Sequence, residues 1–294
     1  MNSNQYLECF VCNFRSNAEN FDYLYHHDKW DLYKCPKCTF QFWWPIEQAP
    51  HIYFEKEYKT FADIQTKPNF GFNHKIALKL IPLKKGKLLD VGCGDSLFLP
   101  KIQQRGFEAW GIDFNRRAIE KAKKLFRLEN LYPLSIYDFI RFPKLPRFDL
   151  ITFFEVLEHI GDPRKFIITV KTLLNKNGFI IFSVPDADTY GRWEETVNVP
   201  PHHLTRWTEK TLKIFLSNNG FLCVNYKKIN RIDSGCLLMN ILLKFFRFIN
   251  PLRADECVKG NIGTLWRYVS FPFREILYFL GIRPTIFVIA QLKN

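Results

Sequence analysis

The chain has 294 residues, of which 47% are hydrophobic and 24% are charged. This balance is typical of a folded protein with a full core and excludes an intrinsically disordered chain. Lysine and arginine number 42 against 29 aspartates and glutamates, so the formal charge is +13, which favours anionic partners such as nucleic acid, a lipid surface or a phosphorylated substrate.

The opening residues, MNSNQYLECF, lack the basic and apolar regions of a secretory signal. No uncharged apolar run reaches the length of about 20 residues that a membrane-spanning helix needs. We therefore expect a cytoplasmic protein.

Four of the eight cysteines lie near the N-terminus in two pairs, Cys9-x-x-Cys12 and Cys35-x-x-Cys38. This spacing lets each pair supply two thiolates to one tetrahedral zinc ion. Two disulfides are the alternative, which a reducing compartment disfavours. The sequence predicts a zinc-ribbon-like segment over residues 1–45, in which a structural Zn²⁺ supplies folding free energy that so short a segment lacks.

The next segment, residues 46–86, is an aromatic, proline-bearing connector. The same segment contains a helical stretch around FNHKIALKLIPL, which is expected to end at Gly86. From residue 87 to residue 294, short β-rich runs alternate with helical patterns. The predicted strands are KLLDVG, EAWGID, LYPLSI, FDLITFF, FIIFSV, FLCVNYKKI and TIFVIAQL.

Two of the predicted helices have clear boundaries. One opens at Asp162 with Pro163 in its first position and closes at Gly178, and the other is capped by Thr208 and closes at Gly220. Strands that alternate with helices indicate an α/β protein with a mostly parallel sheet covered on both faces.

The stretch LLDVGCGDSLF, residues 88–98, places Gly92 and Gly94 between the first strand and the first helix of this domain. A glycine there lets the backbone approach a ligand closely. The third glycine of a dinucleotide fingerprint is replaced by Leu97. Asp113 lies 19 residues beyond Gly94, at the end of the second strand, where an acid accepts hydrogen bonds from ribose hydroxyls. The pattern therefore favours a ribose-bearing ligand.

These motifs, in this order, resemble the class I S-adenosylmethionine-dependent methyltransferases, in particular the small-molecule branch that includes ubiquinone-biosynthesis-like enzymes. LLDVGCGDS is similar to the family's first motif, Asp113 matches its ribose acid, and Asp138 in SIYDF matches the acid near the adenine amino group. FDLITFFEVLEHIGDP resembles the fourth motif, with Glu155 at the strand end and His159 after it. Some members also carry an N-terminal Cys-x-x-Cys ribbon.

The resemblance implies a Rossmann-like, doubly wound sheet of seven strands and S-adenosylmethionine as cofactor. The implied cofactor contacts are Asp90, Gly92, Cys93, Gly94, Asp113, Asp138 and Glu155.

Methyl transfer also needs removal of a proton from the acceptor. The candidates for the base that removes this proton are His202 and His203 in PPHHLTRWT. His203 fits the family's His-x-x-x-aromatic pattern, with Trp207 as the aromatic. The alternative is that one histidine packs on the following helix while the other is solvated. His159 is a further candidate, or caps its own turn.

The expected function is methyl transfer to oxygen, nitrogen or carbon of a small-molecule or lipid- or sugar-linked acceptor. A nucleic-acid methyltransferase and a catalytically silent cofactor-binding scaffold are the alternatives. The fourth motif lacks the Asn/Asp-Pro-Pro-aromatic sequence of base-modifying enzymes, which disfavours nucleic acid as a partner.

Residues 231–283 interrupt the last two strands as a predicted helical insertion. In LLMNILLKFFRFI the polar residues Asn240, Lys244 and Arg247 share one helical stripe opposite a broad apolar face. This face packs on the edge of the sheet, forms a lid over the acceptor site, or lies on an anionic membrane surface at the inner membrane face.

Overall fold

The computed structural model describes residues 5–48, 53, 70–95, 97–189, 198–232 and 282–293. Its strands are β1 Tyr6–Glu8, β2 Arg15–Asn17, β3 Asp22–His27, β4 Trp30–Lys34, β5 Gln41–Trp44, β6 Gly86–Val91, β7 Phe107–Ile112, β8 Leu131–Tyr132, β9 Phe148–Phe154, β10 Leu174–Pro185, β11 Thr205–Arg206, β12 Phe221–Ile232 and β13 Ile282–Leu292. Its helices are α1 Phe72–Leu80, α2 Phe98–Gln104, α3 Arg116–Phe126, α4 Ile136–Phe139, α5 Pro163–Leu173 and α6 Glu209–Asn218.

The main sheet has seven strands in the order β12-β13-β10-β9-β6-β7-β8. β13 runs antiparallel to both of its neighbours, whereas the pairs from β10 to β8 are parallel. The predicted Rossmann-like, mostly parallel sheet of seven strands is confirmed. The chain leaves β6 toward β7 on one side and later reaches β9 on the other, so the loops after these strands open a crevice.

The central strands are apolar on both faces because helices cover both. Leu88 and Leu89 are adjacent in β6 and both are fully buried, and the same holds for Leu150 and Ile151 in β9. Such continuous apolar runs are characteristic of parallel strands inside an α/β domain.

Two predicted boundaries differ in the structure. The strand expected over LYPLSI contains only Leu131–Tyr132, because Pro133 has no amide hydrogen to continue the ladder and Ser135 caps α4 by accepting from the Asp138 amide. The helix expected to close at Gly178 ends at Leu173, and the extended backbone of Leu174 begins β10.

The cysteine-bearing segment shares a sheet with the rest of the chain. A four-stranded sheet has the order β11-β5-β4-β3, so β11, which follows β10 in the chain, completes the sheet of the N-terminal strands. Thr205 pairs with Phe42 in this register. The fully buried rings of Phe40 and Trp207 pack 4.6 Å apart. Residues 5–45 are therefore joined to the part of the chain that carries the main sheet by both sheet pairing and core packing.

Two helices of the main domain also bind this segment. Arg164 of α5 donates to the Glu8 carboxylate at 2.7 Å and to the Cys9 carbonyl at 3.1 Å. Asn218 of α6 donates to the Val11 carbonyl at 2.9 Å.

Most of the insertion predicted over 231–283, and the first part of the connector, lie outside the described residues. β12 and β13, which flank the insertion, are paired as far as Ile232 and Ile282. Within the described ranges, no helix is long and apolar enough to span a membrane.

We expect Thr208→Ala to lower the free energy of unfolding by about 1 kcal/mol, because α6 would lose its N-terminal cap. The Thr208 side chain accepts from the Thr211 amide at 3.2 Å, and the Thr211 hydroxyl accepts from the Thr208 amide at 2.9 Å. Urea denaturation would measure the change. The control is Glu209→Ala, which leaves the cap in place, removes the ion pair with Lys213 and the acid in the first turn of α6, and should cost about 0.5 kcal/mol. Equal losses in both variants would contradict the capping role.

Candidate active site

A cavity of about 420 Å³ opens at the carboxyl ends of β6, β7 and β9. Its walls come from the turns after these three strands and from the segment 134–137, and Gln48 and His202 complete them. This volume and position are those of a small-molecule site in an α/β sheet. No lysine or arginine is among the described residues that line it.

The glycine turn after β6 forms the floor of the cavity. Gly92 has φ +75°, and a Cβ on it would lie 2.8 Å from Cγ2 of Val156. Gly94 has φ +52° but open space around it. Gly92 is thus required both by its left-handed backbone and by the close approach of the turn after β9.

Asp113 joins the turns after β6 and β7. Its two carboxylate oxygens accept from the backbone amides of Gly94 at 2.9 Å and Asn115 at 2.8 Å. Burial raises the pKa of Asp113 above its ordinary value, although both amide bonds oppose the shift. Each carboxylate oxygen has a second lone pair, and the residue lines the cavity, so it can accept from a ligand hydroxyl.

Asp90 and Cys93 lie behind this turn and are not among the residues lining the cavity. Asp90 is 1% exposed and accepts from the Thr152 hydroxyl at 2.6 Å. Burial raises the pKa of Asp90 to about 7, and burial also raises the pKa of the Cys93 thiol. Their placement is that of residues that support the turn.

Asp138 is also not among the lining residues. It lies in α4, where it accepts from the Ser135 hydroxyl at 2.6 Å and forms an exposed ion pair with Arg141. Its neighbours Ser135, Ile136 and Tyr137 line the cavity instead.

Glu155 has a strained backbone at the edge of the cavity. Its φ is +54°, which a residue with a side chain rarely adopts. Its carboxylate accepts from the Ser183 hydroxyl at 2.8 Å and the Asn73 amide at 3.2 Å, and its own amide donates to the Ser183 carbonyl at 3.0 Å. These bonds hold the strained residue in place beside the glycine turn.

His159, His202 and His203 cluster together, with ring centroids 4.6 to 4.8 Å apart. His159 Nδ1–H donates to the His202 carbonyl at 2.6 Å, and the ring also makes a hydrogen bond to the backbone of Glu155. Burial lowers the pKa of His159 to about 4 and that of His203 well below its ordinary value.

The three histidines differ in their access to the cavity. His159 and His202 line it, whereas His203 is 7% exposed and is not among the lining residues. The rings of His202 and His203 are stacked at 15°. One ring nitrogen from each of the three histidines lies within 4.8 Å of the others.

The four N-terminal cysteines form a second cluster. The sulfur atoms of Cys9 and Cys38 are 3.4 Å apart, those of Cys12 and Cys35 are 3.6 Å apart, and all four lie within 4.8 Å of one another. Disulfide bonds would require about 2.05 Å. A tetrahedral zinc ion with bonds of about 2.3 Å places its sulfur ligands roughly 3.8 Å apart, so the four thiols fit one zinc ion.

Comparison with known proteins identifies the family. Residues 67–226 match the family described as "Methyltransferase domain". The chain belongs to this methyltransferase family. Its sheet order and its crevice at the strand ends agree with that membership, and so does the resemblance to class I methyltransferases.

The ubiquinone biosynthesis O-methyltransferase of Alkalilimnicola ehrlichii is 36% identical over 106 residues, which cover 34% of this chain and 42% of that protein. The enzyme of the same name from Pasteurella multocida is 31% identical over 156 residues, covering 47% and 64%. The chain spans about half the length of the curated relatives it matches.

A solved structure of phosphoethanolamine N-methyltransferase 2 from Haemonchus contortus, in complex with phosphomonomethylethanolamine and S-adenosylhomocysteine, shares the fold. The TM-score is 0.50 at 17% identity, with 77% of this chain and 54% of that chain covered.

Several residues at the cavity carried no signal in the sequence. Asn73 and Ser183 bind Glu155 across separations of 82 and 28 residues, and Gln48 enters the cavity from the connector. Asn115 had a usable signal, since an asparagine directly after GIDF is a helix cap, and its side chain does accept from the Ala118 amide.

We expect Asp90→Asn to stabilise the protein increasingly between pH 4 and pH 8. The folded-state pKa of Asp90 is raised from 3.8 to about 7, so the folded chain binds more protons and the wild type loses stability as the pH rises through this window. The difference between variant and wild type should grow by up to about 4 kcal/mol. Urea denaturation at both pH values would measure it, and a pH-independent difference would contradict the buried, proton-binding state.

Proposed function

We propose that the chain transfers a methyl group from S-adenosylmethionine to a small-molecule acceptor. The observation that carries this proposal is the single cavity in which the glycine turn, Asp113, Glu155 and His202 meet. Family membership supports the reaction class. The names of the relatives, O-methyltransferases of ubiquinone biosynthesis, favour a hydroxyl on a small or lipid-linked molecule as acceptor.

The charge of the cavity supports this cofactor. The chain as a whole carries +13, yet the described cavity wall contains Asp113 and Glu155 and no lysine or arginine. A phosphorylated dinucleotide would find no cationic partner there, whereas a sulfonium cation would lie beside carboxylates. The wall therefore favours a cationic, ribose-bearing ligand over an anionic one.

The cofactor would be held by residues that the cavity already presents. Gly92 leaves room for close approach of the ligand, Asp113 would accept from the ribose hydroxyls, and Ile112 and Ile136 offer apolar surface to the adenine. When bound, the sulfonium supplies an activated methyl group. Glu155, held by Asn73 and Ser183, would orient the ligand.

Removal of the acceptor proton is the step that needs a base, and His202 is our candidate. It lines the cavity, whereas His203, the other candidate in this pair, lies behind it. His159 lines the cavity too, but its pKa of about 4 makes it a weak base at neutral pH. In this arrangement His159 positions the loop of His202 through its bond to the His202 carbonyl.

We also propose that Cys9, Cys12, Cys35 and Cys38 hold one structural zinc ion, since their sulfur separations fit tetrahedral coordination. We propose no contact with a membrane surface, because that prediction rests on the 231–283 segment, most of which lies outside the described residues.

We expect Asp113→Ala to weaken binding of S-adenosylhomocysteine by about 1–3 kcal/mol, because the ribose hydroxyls would lose a charged acceptor. Titration calorimetry would measure the change. Asp138→Ala is the matched control, since it removes an acid of the same motif set that is not among the cavity-lining residues, and it should change the affinity by less than about 0.5 kcal/mol. The reverse order of effects would move the ribose acid to Asp138.

We expect His202→Ala to lower methyl transfer about 100-fold while the affinity for S-adenosylhomocysteine stays the same. The measurement is incorporation of labelled methyl from S-adenosylmethionine into a small-molecule extract of the host cell. His203→Ala is the comparison, and a larger loss of transfer in that variant with unchanged cofactor affinity would return the base to His203.

A further inference from the structure

The residues that line the cavity come from two parts of the chain, one carried by the main sheet and the other by the smaller sheet. The turns after β6, β7 and β9 are carried by the main sheet. Gln48 and His202 are not: Gln48 follows β5, and His202 precedes β11, the two strands that pair in the smaller sheet. We call residues 198–207 the histidine loop.

The histidine loop is held between β5 of the smaller sheet and the turn that follows β9. On one side the Trp43 amide of β5 donates to the Leu204 carbonyl at 3.0 Å. On the other side the Leu204 amide donates to the Glu158 carbonyl at 2.8 Å. Within the loop, the amides of His202 and His203 both donate to the Val199 carbonyl, at 3.1 and 3.0 Å. Removal of β5 would leave the loop attached on one side only.

The position of β5 depends in turn on the cysteine cluster. The Cys35 amide donates to the Phe40 carbonyl at 2.8 Å, and the Thr39 amide donates back to the Cys35 carbonyl at 2.9 Å, so the second cysteine knuckle leads directly into this strand. Phe40 packs on Trp207 at the end of the histidine loop. A metal ion that fixes the knuckle would thereby fix β5 and the loop paired with it.

Beyond β5, the same segment reaches the cavity. A Cβ on Gly161 would lie 3.1 Å from Cγ2 of Ile46 and 3.7 Å from the Gln48 side chain, so the bare backbone at Gly161 lets this segment pass closely. The contact places Gln48, an exposed residue, on the wall that also carries His159 and His202.

From these contacts we infer that the cysteine ribbon is the acceptor half of the active site: it holds the histidine loop over the cofactor half and contributes Gln48 as a residue that binds the acceptor. This inference rests on the proposed function, which it deepens. It assigns to the ribbon a role in positioning the acceptor beyond a contribution to folding.

The test compares the full-length wild type with Cys12→Ser, and Cys223→Ser serves as the matched control because Cys223 lies in β12, outside the cluster. Elemental analysis should find about one zinc per wild-type chain and a clear loss only in Cys12→Ser. Hydrogen exchange of the backbone amides in 199–207 should then become at least about 10-fold faster, while that of β7 stays the same. The affinity for S-adenosylhomocysteine should change less than about 2-fold.

A second variant tests the acceptor role without disturbing the cluster. Gln48→Ala should keep zinc, hydrogen exchange and cofactor affinity, and should lower methyl transfer to a dilute small-molecule extract about 10-fold.

Three results would overturn the inference. Unchanged hydrogen exchange of the amides in 199–207 after loss of zinc would show that the ribbon does not hold the histidine loop. Full methyl transfer by Gln48→Ala would show that Gln48 does not bind the acceptor. Equal acceleration in β7 together with loss of cofactor affinity would make the ribbon a support of the whole fold. Failure of the wild type to bind S-adenosylhomocysteine would instead refute the proposed function itself, independently of the exchange data.

Discussion

The carboxylate of Asp113 is the interaction on which the geometry of the cavity depends. It accepts from the amides of Gly94 and Asn115, and so it joins the turn after β6 to the start of α3. These two turns are separated in sequence but adjacent in the sheet, and the amides of Gly92 and Cys93 also donate to the Ile112 carbonyl, at 2.8 and 3.1 Å. A side chain that binds both amides fixes their distance and still faces the cavity. Loss of this carboxylate would therefore affect ligand contacts and turn geometry together.

The electrostatics of the site follow from three acidic side chains that lie close together. Asp90, Asp113 and Glu155 approach one turn of the chain, and burial raises the pKa of the first two. The protein tolerates these acids because Thr152, the backbone amides, Ser183 and Asn73 supply hydrogen bonds. A bound cation would reduce the remaining repulsion. The site thus concentrates negative charge inside a chain whose net charge is strongly positive, which is the pattern expected for a cationic ligand.

Sequence could predict the parts of this site that are local. The positions of Gly92 and Asp113 could be predicted from the ends of strands and from turn residues. The strands of the main sheet could be predicted from patterns within short windows of the chain. Asn73, Ser183 and Gln48 could not be predicted, because their contacts join distant segments and their residue types have no pattern of their own. The strand predicted over LYPLSI exists as β8 but is shorter than predicted for a local reason, since Pro133 interrupts the ladder. The pairing of β5 with β11 was missed because a two-residue strand leaves almost no periodicity to detect.

The two halves of the cavity also differ in how readily they can change. The cofactor half depends on parallel strands that are buried on both faces, so substitutions there disturb the core as well as the ligand. The histidine loop is held on one side by hydrogen bonds to β5 and by the contact between Phe40 and Trp207, and on the other side by the Glu158 carbonyl and by packing of Trp207 on Phe215. A change in the ribbon can therefore reshape the wall that faces the acceptor while the strands that carry Gly92 and Asp113 stay in place. On this physical ground, the proposed function assigns acceptor choice to the ribbon side and binding of the methyl donor to the sheet.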